Sequence, residues 1–154
     1  MRRSGFTLIE LMLIIAILAV LASLAAPYYM NLVHKSRRAE AHTVLDGVGT
    51  AESAYFTATD TWVSGSSNPG GSLTKAMRPW NSAATGWSTL GYSPDGEVRC
   101  SYIATQFGGN TWVRADAYCD VDDDNRSYIL RYYVPSSSSA QTTFGWREVD
   151  PTRY

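Results

Sequence analysis

The sequence predicts an α+β protein. A long N-terminal α-helix, apolar in its first half and amphipathic in its second, packs on a C-terminal antiparallel β-sheet of about four strands. Three observations predict this. Residues 5–24 read G-F-T-L-I-E-L-M-L-I-I-A-I-L-A-V-L-A-S-L, and from Phe6 to Val33 the one full charge is Glu10. Ala41, Val44, Val48, Ala51, Tyr55 and Ala58 then recur at a 3-4-3-4-3 spacing, with Leu45 widening the stripe, as in a helix with one buried face. From Trp87 onward, runs of β-branched and aromatic residues alternate with Gly, Pro, Asn and Asp clusters, as in strands joined by turns.

The apolar run is long enough to cross a bilayer, for which a helix needs about 20 apolar residues. Arg2 and Arg3 stand before it and should stay in the cytoplasm, which sends the rest of the chain out. A carboxylate carried toward the bilayer centre costs about 2.5–3.5 kcal/mol on insertion scales. On physics alone two readings of Glu10 stay open. It is a functional intramembrane acid awaiting a cationic partner, or an interfacial acid favoured by the helix dipole at headgroup level.

The helix is expected over residues 6–58, about 80 Å of rod at 1.5 Å per residue. Pro27 removes one backbone hydrogen bond and crowds the preceding turn, so a kink or a locally melted stretch is expected at residues 25–30. Beyond it, Arg38, Glu40, Asp46 and Glu52 are assigned to the polar face opposite the stripe. Gly47 and Gly49 each cost about 1 kcal/mol against Ala in a helix interior. They are either weak points or places where the sheet approaches closely.

Residues 59–87 include S-G-S-S-N-P-G-G-S at 64–72 and read as a long surface connection, pinned to the domain by Trp80 and Trp87. Strands are expected at 97–107, 111–121, 127–134 and 142–149, with turns at Gly108-Gly109-Asn110 and at the acidic residues 122–126. Consecutive strands with short turns imply an antiparallel meander, one face of which covers the helix stripe.

The chain has 154 residues with 13 Lys and Arg against 14 Asp and Glu. That balance offers no basic footprint for nucleic acid. His34 and His42 have no Cys or acid at ligand spacing. No phosphate loop, nucleophile elbow or His-based triad is legible, which argues against an enzyme. Cys100 and Cys119 are the only cysteines. Outside the cytoplasm they are permitted to form a disulfide, and two buried thiols are the alternative. Asp120, Asp122 and Asp124 repeat acids at positions 1, 3 and 5, as a calcium loop begins. Position 6 is Asn125 rather than Gly, and position 12 is Arg131 rather than Glu. A solvated acidic turn is therefore favoured over a calcium site.

Gly5-Phe6-Thr7-Leu8-Ile9-Glu10, after a short basic leader and before an apolar helix, closely resembles the N-terminus of type IV prepilins, and the same signature marks type II secretion pseudopilins. The match is specific over residues 5–26, looser through Pro27 and the rest of the helix, and beyond about residue 59 only the layout agrees. The resemblance implies the ladle-like pilin fold, with residues 1–5 as leader, 6–30 as membrane and filament-core helix, and 31–154 as a head outside the inner membrane. Prepilin peptidase would cut Gly5–Phe6 and N-methylate Phe6, and removal of Arg2 and Arg3 would leave a net charge of −3. Glu10 would neutralise the Phe6 ammonium of a neighbouring subunit, since two opposite charges desolvated together cost far less than one left alone.

The implied partners are other pilin subunits, the peptidase/N-methyltransferase and the inner-membrane assembly platform, with the membrane itself before assembly. The implied destination is an extracellular filament serving adhesion, twitching motility or DNA uptake, with loops 64–72 and 135–139 as surface contacts. In relatives a proline at the place of Pro27 is linked to unwinding in the filament, and some carry calcium-binding acidic turns. No cofactor is expected, with calcium at Asp120, Asp122 and Asp124 the alternative. The competing readings are a pseudopilin and a membrane-tethered binding module with Trp80, Trp87 and Trp112 as a ligand platform. A third is a secretory signal cleaved near Ser23-Leu24-Ala25, which Pro27 and Glu10 oppose.

Overall fold

A computed structural model describes residues 6–124, 126–135 and 146–148, the last three by backbone alone. Its elements are α1 (Leu8–Thr59), β1 (Gly65–Asn68), α2 (Trp87–Leu90), β2 (Ser101–Phe107), β3 (Trp112–Cys119), β4 (Tyr128–Pro135) and β5 (Trp146–Glu148). The chain forms two compact units, Met1–Lys35 and Ser36–Tyr154.

In the first unit the described residues are helical from Leu8 on. Leu8, Ile9, Leu11, Leu13, Ile15 and Leu18 are all more than half exposed. Each such side chain gains about 1.5–3 kcal/mol when fully removed from water. A run of them on every side of a helix therefore calls for an apolar surrounding. By length and composition this stretch is able to cross a membrane. Pro27 lies inside the helix, and helical assignment continues through residues 25–30. The single chain thus shows no melted stretch there. Proline loses one backbone donor, and the turns on either side retain theirs.

In the second unit, β1 to β5 form one antiparallel sheet in sequential order. All four expected strands are present. A fifth, β1, comes from the stretch read as loop. Its sequence, Gly-Ser-Ser-Asn, has no β-branched or aromatic residue to announce a strand, and long-range bonds hold it. Ser67 and Ser101 share a hydroxyl hydrogen bond, and Asn68 exchanges two with the backbone of Asn81. Gly65, Asn68 and Pro69 are buried, so residues 64–72 are not wholly the exposed loop expected. Residues 136–139 of the second expected contact loop lie outside the described residues.

The inner face of the sheet carries Tyr102 and Ala104 on β2, Val113, Ala115 and Ala117 on β3, and Leu130 on β4. Alanines paired across β2 and β3 keep that face shallow, and the helix comes down onto it. Ala41, Val44, Leu45, Val48, Gly49 and Glu52 are the buried residues of α1. This differs from the expected stripe: Ala51 is half-buried, Ala58 is exposed, and Glu52, expected on the polar face, is in the core. At 3.6 residues per turn a strict 3-4 repeat drifts around a straight helix. The contact line therefore moves from Ala51 to Glu52 and from Tyr55 toward Phe56. Gly47 and Gly49 are points of close approach. A Cβ on Gly47 would sit 2.7 Å from the Tyr92 ring, and one on Gly49 would overlap the Tyr132 ring.

Segment 69–100 wraps the sheet edge. Arg78 and Val98 exchange backbone hydrogen bonds, and the Arg78 guanidinium is held by the carbonyls of Gly70, Ser72 and Arg99. Gly86 has φ 84°, and a side chain there would strike the backbone of Ser64 and Gly65. Only glycine lets Trp87 enter the core beneath β1.

Candidate functional site

The sequence places the functional chemistry at the start of α1. Gly5 lies outside the described residues. Phe6 is exposed and precedes the helix. Thr7 and Glu10 form a reciprocal pair. The Thr7 amide and hydroxyl donate to Glu10 Oε2 at 2.9 and 2.7 Å, and the Glu10 amide donates to Thr7 Oγ1 at 3.3 Å. This is a capping box, Thr-x-x-Glu, which satisfies two of the helix's orphan amide donors. The pattern is local in the sequence, Thr7-Leu8-Ile9-Glu10, with the two residues at capping-box spacing. The arrangement holds the Glu10 carboxylate against the amide of Thr7, the residue that follows Phe6. An ammonium brought to this end would meet an oriented acceptor.

Cys100 and Cys119 are disulfide-bonded and fully buried. They extend the β2–β3 ladder by one rung beyond Ser101↔Tyr118. The neighbouring acidic turn brings ligand oxygens of Asp120, Asp122 and Asp124 within 4.8 Å of one another. Asp120 is buried, and its Oδ1 accepts the Asp123 amide at 2.7 Å. Asp124 accepts the Arg126 amide at 2.8 Å. Lys75 stands 3.6 Å from Asp123, and Arg126 stands 3.9 Å from Asp124. The carboxylates thus cap the turn and meet two cations.

The tryptophans do not form one platform. Trp87 is 1% exposed and donates its indole N–H to Ser66 O at 2.6 Å. Trp80 meets it edge-on at 4.9 Å. Trp112 lies on the opposite sheet face, stacked on Phe107 at 4.4 Å. On that outer face Arg114 and Arg131 also flank the buried Asp116 at 2.9 and 3.3 Å. Burial pushes the Asp116 carboxyl up, and the two guanidiniums oppose that. The pairing is cross-strand, Asp116 opposite Arg131, and no linear pattern signals it.

A family model described as the prokaryotic N-terminal methylation motif matches residues 1–26. The chain is 28% identical to the type IV major pilin protein PilA of Myxococcus xanthus over 98% of its own length and 67% of that protein's. It is 42% identical to the fimbrial protein EcpC of Eikenella corrodens over 39% of each. With the type IV major fimbrial protein FimA of Dichelobacter nodosus it shares 44% identity over 30% of this chain and 29% of that one. The last two matches thus span well under half of those relatives. No solved structure matches. The methylation motif over residues 1–26 and the likeness to these type IV pilin and fimbrial proteins make this chain similar to type IV pilins, and the apolar helix followed by an antiparallel-sheet head fits that likeness.

Proposed function

We propose that this chain is a structural subunit of a type IV pilus, made as an inner-membrane precursor and assembled into an extracellular filament. One observation supports it above the others: an apolar helix exposed on every side, headed by a single oriented acid. Membrane lipid and the apolar helices of other subunits both suit such a surface. Its exchange of one for the other is assembly rather than catalysis.

Cleavage of Gly5–Phe6 supplies the ammonium that Glu10 lacks. Glu10 of one subunit then sets register on Phe6 of the next, because an unpaired charge inside a helix bundle is far more costly than a matched pair. The disulfide suits a head folded outside the cytoplasm. Asp120, Asp122 and Asp124 are candidate calcium ligands within this reading, with Arg126 competing for Asp124.

Two measurements test the reading. Intact mass and the N-terminal peptide of the protein from its native envelope should show a chain beginning at N-methylated Phe6. Glu10→Ala should insert in the membrane normally and lose most filament incorporation, read as sheared filament yield against total membrane protein. A chain that still begins at Met1, or normal filament yield from the variant, would overturn it.

A further inference from the structure

Glu52 is on the core side of α1 and is 0% exposed. Its Oε2 accepts one hydrogen bond, from the Val63 amide at 3.1 Å. Its Oε1 has no partner among the described residues, and no Lys, Arg or His pairs with it there. A buried carboxylate held by a single amide is stable uncharged and costly charged.

Among the described residues, the surrounding elements supply no compensating cation. The other acids of α1 beyond Ser36 are Glu40, committed to the Arg99 amide and guanidinium, and Asp46, which is exposed. The segment after α1 carries Asp60, also exposed. Residues 108–111 of the β2–β3 turn are uncharged. The inner faces of β2, β3 and β4 present tyrosines as their only titratable groups, Tyr102, Tyr128 and Tyr132. Arg114, Asp116 and Arg131 point to the other side of the sheet by register.

The segment that Glu52 holds is the link from α1 to β1. Its other anchors do not titrate. The Trp62 amide donates to Asn110 Oδ1 at 2.9 Å and its indole to Asn110 O at 3.2 Å. Asn110 Nδ2 donates to the Asp60 carbonyl, and Phe56 stacks on Trp62 at 4.2 Å.

We propose that Glu52 is a proton-operated latch. Carrying a proton, it keeps residues 60–64 closed on α1; ionised, it lets them open. Burial pushes the Glu52 carboxyl up to about 7 from an ordinary 4.5, with the Val63 amide acting the other way. The closed state therefore binds the proton more tightly than the open, hydrated acid does. Closure is at full strength below about pH 4.5 and is lost as pH rises through about 7.

The test is amide hydrogen exchange on the full-length chain in detergent micelles, with rates corrected for intrinsic exchange. Between pH 5 and pH 8, protection of the Val63 amide should fall on the order of 10²-fold. The Ala115 amide in β3 should stay level. In Glu52→Gln, which carries no ionisable group, the Val63 protection should be flat with pH. A flat profile in the unmodified chain overturns the latch, and so does a parallel fall at Val63 and Ala115, which would mean whole-domain loosening. The unmodified chain decides the matter even if the variant fails to fold.

Discussion

At the scale of single residues, the determinants are those whose size or charge the neighbours leave no freedom to change. Gly49 is the clearest. The Tyr132 ring occupies the space its side chain would fill, and Tyr132 in turn reaches the core from β4. Gly49→Ala improves helix propensity by about 1 kcal/mol but must push that ring aside, and overpacking of this kind costs about 1–3 kcal/mol. A net loss of up to about 2 kcal/mol is expected in chemical denaturation of the full chain in detergent. Combining it with Tyr132→Leu should recover part of the loss. If the single variant is more stable than the parent, the ring is free to move and the close approach is not a constraint. Thr7 belongs to this scale too. Its hydroxyl and amide are within reach of Glu10 by the three-residue spacing alone.

At the scale of elements, the sheet rests on pairings between residues far apart in sequence. The disulfide is the simplest to test. It closes a loop of sequence separation 19, for which chain entropy gives about 3 kcal/mol. Reduction, or Cys100→Ser with Cys119→Ser, should lower the stability of the head by about that amount while the β2–β3 ladder still forms. Thermal melts with and without reductant check it, and an unchanged midpoint would mean the bridge contributes little. Strands β2 to β4 were legible because alternation and turn residues are local signals. Strand β1 was not, since it exists through Ser67, Asn68 and the entry of Trp87 below it. The turn at Asp120–Asp124 was legible as acidic. That its carboxylates cap the backbone and meet Lys75 was not.

At the scale of the whole molecule, the chain divides between two solvents. The unit up to Lys35 exposes its apolar side chains, and the unit from Ser36 buries its own. A fragment beginning at Ser36, secreted to an oxidising compartment, should fold as a soluble domain with one cooperative melt. Loss of near-UV circular dichroism in that fragment would show that the head depends on the first half of α1.

The amino-acid sequence by itself determined the apolar helix, the isolated Glu10 and the order of four strands. Each rests on periodicity, composition or spacing, which act between near neighbours. Only the tertiary structure decided that Glu52 is inside rather than outside, and that Trp112 faces away from Trp80 and Trp87. It alone showed that the glycines of α1 make room for tyrosines. These outcomes depend on where a helix face lands on a sheet. That is set by the packed volume of many side chains together, and a shift of one position along the helix is enough to turn a surface acid into a core one.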